Sequence, residues 1–93
     1  MATYKGNEDL RGIDVCEKFY NDVLKVINEN DEIIVDFENI KYISSTGIGK
    51  LMKLNDELKN QNKTVKVINV SGGMRRILTQ IDAIELLTNF DFG

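Results

Sequence analysis

A chain of 93 residues makes one small domain, long enough for a single core and short for a deep substrate cavity. Hydrophobic residues at 42% and charged residues at 29% exclude a disordered chain. A net charge of −3, with Arg75-Arg76 as the only adjacent arginines, argues against nucleic acid as the main partner, because gripping a phosphate backbone needs clustered Lys and Arg.

No apolar run approaches the ~20 residues of a membrane span, and the start MATYKGNEDL has no hydrophobic signal region, so membrane insertion is not expected. The single Cys16 cannot close an intrachain disulfide, which makes a reducing cytoplasm the expected setting. Histidine is absent, removing the commonest general base and the commonest metal ligand, and no cofactor or metal is expected.

The first twelve residues are polar and Gly-bearing, with room for a short strand around Ala2–Lys5. From Ile13 to Asn28, Cys16, Phe19, Tyr20, Val23, Leu24 and Ile27 recur at helical spacing, so one face of that helix is apolar. Asn28-Glu29-Asn30-Asp31 ends it with turn formers. Glu32 to Phe37 reads as a strand that is apolar nearly throughout, which places it centrally in a sheet.

A second helix is expected from about Gly47 to Lys59, with Ile48, Leu51, Met52 and Leu58 facing inward and a solvated face of Lys50, Lys53, Asp56, Glu57 and Lys59. After the turn Asn60–Lys63, Thr64 to Val70 is the next strand. Ser71 then caps a third helix carrying Met74, Ile77, Leu78 and Ile81 on one stripe. The tail Ala83–Phe92 has room for one more short strand. Strand and helix alternate through short links, so residues 1–93 read as a single α/β domain: a small mixed, partly parallel sheet of about four strands with helices on one face.

The densest chemistry lies in Tyr42-Ile43-Ser44-Ser45-Thr46-Gly47-Ile48-Gly49, where three hydroxyl residues meet a strand-to-helix junction. The first N–H groups of a helix lack partners, so a hydroxyl there can cap them. A phosphate on such a hydroxyl would also meet free N–H groups and the positive end of the helix dipole. Residue types alone leave both readings open.

Gly47 and Gly49 do not make a nucleotide loop. A P-loop needs Gly-Lys-Ser/Thr, whereas Leu51 follows Gly49-Lys50, and a dinucleotide fingerprint would need glycine in place of Met52. Gly47 is expected instead to keep the hydroxyl turn clear for a docking partner. Gly72-Gly73, near Arg75 and Arg76, is a second conceivable anion cradle, but two glycines fit a plain helix start better. Asp36, at a strand end, has no second carboxylate or base beside it in sequence.

The segment from Ile33 to Leu51 resembles the STAS domain of anti-sigma factor antagonists, in which an apolar strand ending in Asp is followed by aromatic-Ile-Asp-Ser-Ser/Thr-Gly-Leu/Ile-Gly entering a helix. Val67 to Leu78 is similar to the family's next strand and helix, and Gly6 with Asp9 to the Gly-x-x-Asp ahead of its first helix. The resemblance covers roughly residues 6 to 90. It implies a small mixed sheet with helices on one side and a partner-binding surface around the hydroxyl junction. It also implies an acceptor hydroxyl just before the glycine, phosphorylated by a kinase-type anti-sigma factor.

Position by position, the acceptor is Thr46, ahead of Ser45 and Ser44, and the partner surface comprises Asp36, Ser44, Ser45, Thr46, Gly47, Ile48 and Lys50. Ser44 departs from the family's Asp and loses a carboxylate beside the acceptor. The family's N-terminal hairpin fits only as a remnant in Ala2–Lys5, so an open sheet edge and a homodimer are expected; its C-terminal helix has no room after Phe92, which is expected to uncover apolar surface for a partner.

The resemblance carries a second function, that of the compact STAS subunits of lipid-transport ABC complexes, which bind an ATPase subunit constitutively. Catalysis is not expected. A nucleophilic Thr46 or Ser45 would need a base within hydrogen-bond reach, and no histidine or activating lysine adjoins the motif.

Overall fold

The computed structural model describes residues 1–93. In chain order the elements are β1 (Ala2–Lys5), α1 (Ile13–Glu29), β2 (Ile33–Asp36), α2 (Ser45–Asn60), β3 (Val65–Ile68), α3 (Gly72–Gln80), α4 (Ala83–Leu86) and β4 (Phe90–Asp91). The four strands lie in the sheet in the order β1-β2-β3-β4, and every pairing is parallel. The expected mixed sheet is therefore a wholly parallel one. Each link between strands carries a helix, so the chain returns to the same end before every strand and no hairpin forms.

Every crossover steps one strand in the same direction, and crossovers of the usual right hand then lay all the helices on one face. Burial agrees with this. Ile33, Val35, Val65 and Val67 are buried beneath the helices. Thr3, Ile34, Lys66 and Asp91 are matched by register in a row across the opposite face, with Lys5, Asp36 and Ile68 in the next.

Helix α1 buries Cys16, Phe19, Val23 and Ile27, the stripe its spacing requires, and each large apolar side chain contributes about 1.5–3 kcal/mol. The Asn30 side chain donates to the Val26 carbonyl at 3.0 Å where the helix stops. Phe19 sets its ring edge-on to Phe37 at 6.4 Å and to Tyr4 at 5.7 Å, joining α1 to β1 and to the residue that follows β2.

In α2 the buried residues are Gly47, Leu51, Leu54, Asn55 and Leu58. Leu54 stands where the sequence pointed to Met52, which is half-buried, as is Ile48. Both pack against the flank of the core. Asn55 is the buried polar residue, and both ends of its amide are used. Its oxygen accepts from the Asn89 backbone N–H at 2.8 Å and its nitrogen donates to the Leu86 carbonyl at 3.4 Å, holding the segment that leads into β4. That segment contains α4, a helix not expected from the sequence.

Candidate functional site

The hydroxyl turn is held by a splint from the segment after β1. Leu10 and Ile43 form an isolated parallel bridge, with the Leu10 N–H donating to the Tyr42 carbonyl at 3.0 Å and the Ser44 N–H to the Leu10 carbonyl at 2.8 Å. Asp9 Oδ1 accepts from the backbone N–H groups of Lys41 at 2.6 Å and Tyr42 at 3.1 Å. Those bonds, Lys41 foremost, hold the Asp9 carboxyl below the usual carboxylate range, with help from Arg11. The Arg11 guanidinium lies 3.5 Å from Asp9 and 4.2 Å from the centre of the exposed Tyr42 ring.

Ser44 is the N-cap of α2. Its backbone is extended (φ −85°, ψ 171°), its Oγ accepts from the Gly47 N–H at 3.3 Å, and its carbonyl accepts from the Ile48 N–H at 2.9 Å. Beneath it the buried Cys16 thiol approaches the same Oγ at 3.9 Å, so the cap rests on α1.

Ser45 and Thr46 follow as the first two helical residues. Both are exposed, and neither hydroxyl enters a side-chain hydrogen bond. The three hydroxyls thus divide. Ser44 closes the helix, while Ser45 and Thr46 face solvent, which answers for Thr46 the choice between cap and free hydroxyl.

Gly47 works differently from the expectation. It is buried, and a Cβ there would stand 2.6 Å from Ile43 Cγ1 and 3.1 Å from Leu10 Cβ. Its missing side chain lets the first turn close onto the splint; it clears no outward space for a partner. A Cβ at Gly49 would meet nothing within 4 Å.

Two further residues assigned to the partner surface are occupied within the chain. The Lys50 ammonium sits 2.7 Å from Glu17 Oε2, with its side chain 16% exposed, so it is no free cation on a solvated face. Asp36, at the end of β2, accepts from the Glu38 N–H at 2.8 Å and from the Asn69 side-chain amide at 3.0 Å. The Asn69 bond foremost, then the Glu38 N–H, lowers its pKa. Asp36 therefore shapes the turn after β2 and ties it to the end of β3, and none of its bonds reaches the hydroxyl turn.

Of the candidate residues, Ser44 to Ile48 come together as cap and first turn, Lys50 follows one turn on, and Asp36 stands apart. Asp9 and Leu10 were not assigned a role from sequence. The only signal was the Gly6 and Asp9 spacing, and that gives no hint of contact with residues more than thirty positions away. At the start of α3, Ser71 caps through the Met74 N–H at 3.1 Å, and Arg75 donates to the Phe92 carbonyl at 2.6 Å. Arg75 is thus engaged away from the glycine pair.

A parallel sheet covered by helices on one face, with a solvent-facing hydroxyl pair at the start of the helix after β2, defines a small two-layer α/β domain. Residues 10–88 match the family described as Mlab, STAS domain, and the chain belongs to the STAS family. Among solved structures, a sulfate transporter family protein from Wolinella succinogenes is similar over 96% of this chain and 75% of that one. The TM-score is 0.70 and the identity 19%, a likeness of fold. No curated protein matches by sequence. No helix is long and apolar enough to cross a membrane.

Proposed function

We propose that this STAS domain is a cytoplasmic regulatory binding module that docks a protein partner on its hydroxyl turn and is switched by phosphorylation of Thr46, in the manner of anti-sigma factor antagonists. The observation that carries the reading is the division of labour at the junction. Ser44 already caps α2, so the exposed Thr46 hydroxyl is left over for chemistry by another protein. The role is one of binding rather than catalysis, and the partner is an anti-sigma factor kinase or a related regulatory protein. A phosphate adds about −1.5 to −2 charge. Inside a docked interface its desolvation and repulsion oppose binding by several kcal/mol, and ~1.4 kcal/mol is already tenfold in affinity.

Incubation with the cognate kinase and ATP should add one phosphate, placed on Thr46 by mass spectrometry. Thr46→Ala should keep partner binding and Thr46→Glu should weaken it. Phosphate on Ser45 or Ser44 instead would move the site without ending the switch.

A second reading rests on the resemblance to compact STAS subunits of lipid-transport ABC complexes, beside the match of residues 10–88 to the family described as Mlab, STAS domain: a constitutive adaptor subunit of an ABC-type lipid transport complex. In that case no kinase labels the chain, and Thr46→Glu binds its partner as tightly as wild type. Either role is compatible with a homodimer through the outer edge of β1, which pairs only with β2.

A further inference from the structure

Lys50 has a neighbour on each side. Across the helix interface it meets Glu17 of α1, with its ammonium 5.1 Å from the centre of the Tyr20 ring. The Lys53 ammonium lies 5.6 Å from the same ring, so two cations and one carboxylate frame Tyr20 where α1 and α2 meet. Lys50, foremost, and then Lys53 hold the Glu17 carboxyl below its ordinary range. Along α2, Lys50 follows Thr46 by four residues, which puts the two on one face with Cβ atoms about 5–6 Å apart. Helical side chains lean toward the helix N-terminus, so the Lys50 stem runs back toward the turn that carries Thr46.

We infer that a phosphate on Thr46 takes the Lys50 ammonium away from Glu17, so that phosphorylation rearranges the surface between α1 and α2 as well as adding charge at the turn. This rests on Thr46 being the modified residue. The competition favours the phosphate. It offers up to three acceptor oxygens and about −1.5 to −2 charge against a single carboxylate's −1. It also needs no second helix to hold it in place. Once Lys50 has turned, Glu17 faces the phosphate with only Lys53 to offset the repulsion, and it moves outward into solvent, where its side chain is already 52% exposed. Tyr20 then loses one of its two covering cations. A partner that tells the two forms apart can therefore read Glu17 and Tyr20 on α1 in addition to the turn itself.

The test uses the full chain with phosphothreonine installed at position 46 during translation, which requires no kinase, and follows the phosphate by phosphorus NMR against pH. In wild type the second phosphate ionisation should fall about 0.2–0.4 unit below that in Lys50→Gln. Lys50→Arg should restore the wild-type value, and Glu17→Gln, which removes the competitor, should lower it further. Amide spectra confirm that each variant is folded. Equal titration in wild type and Lys50→Gln overturns the exchange. If that equality accompanies kinase labelling and weakened partner binding, the proposed switch stands and the exchange alone fails. If the titrations differ but no kinase labels the chain, the exchange stands and the switch fails.

Discussion

Ser44 and Thr46 lie two residues apart and carry different burdens. Ser44 accepts from the Gly47 N–H, so Ser44→Ala should cost about 1 kcal/mol of stability. Thr46 is exposed and caps nothing, and Thr46→Ala should stay within about 0.5 kcal/mol of wild type. Urea unfolding followed by circular dichroism separates the two, and an equal loss in both would return Thr46 to a capping role. Asp9 adds a dependence on pH. Its carboxyl is held below the ordinary range by the Lys41 N–H foremost, so the unfolded chain takes up that proton at a higher pH than the folded one. The stabilisation it supplies is complete above the ordinary carboxylate range and is lost as pH falls through the depressed folded value. The backbone amide signals of Lys41 and Tyr42 should titrate together in acid, and Asp9→Asn should abolish that shared transition.

The glycines of α2 differ as sharply at the scale of the element. Gly47→Ala would drive a methyl to within 2.6 Å of Ile43 and should cost about 1–3 kcal/mol, whereas Gly49→Ala enters open space and should gain about 0.5–1 kcal/mol of helix stability. Thermal melts of the two variants should move in opposite directions. Sequence spacing made the apolar stripe of α1, that of α3 through Met74, Ile77 and Leu78, and the hydroxyl junction legible, because each is a local pattern of period or cap chemistry; Ile81, expected on the same stripe, lies past the end of α3 and is 48% exposed. The inward use of Gly47 was not legible, since it depends on Leu10 arriving from a distant segment. Helix α4 was missed because it has four residues, and its N-cap, Asp82, sits in the left-handed region (φ 58°) without a side-chain cap bond. The sense of strand pairing is a property of the whole topology and leaves no mark within any one strand.

At the scale of the molecule, the sheet presents an edge at β1, whose strand bonds all run to β2. The Ala2 N–H donates to the Glu32 carbonyl just ahead of β2 and the Gly6 N–H to the Asp36 carbonyl at its end, so by alternation those of Thr3 and Lys5 point outward. Proline at position 3 would remove an outward donor and leave the internal ladder whole. Sedimentation should show a concentration-dependent dimer for wild type and monomer for Thr3→Pro. Monomer for both at high concentration would remove the homodimer.

The splint at the hydroxyl turn makes the two edges of the sheet unequal in what they guard. Residues 9 to 11 belong to the segment that leaves β1, and the Gly6 N–H donates to the Asp36 carbonyl at 3.3 Å on the way to it. Fraying that begins at β1 can therefore travel through Gly6 to Asp9 and release the turn, whereas β4 meets the sheet only at Val65 and Lys66 and can open without touching it. Under native conditions the Ser44 amide, bonded to the Leu10 carbonyl, should exchange its hydrogen in step with β1 and independently of β4. Of the two edges only the leading one anchors the site, and its integrity can be lost while most of the core is still folded.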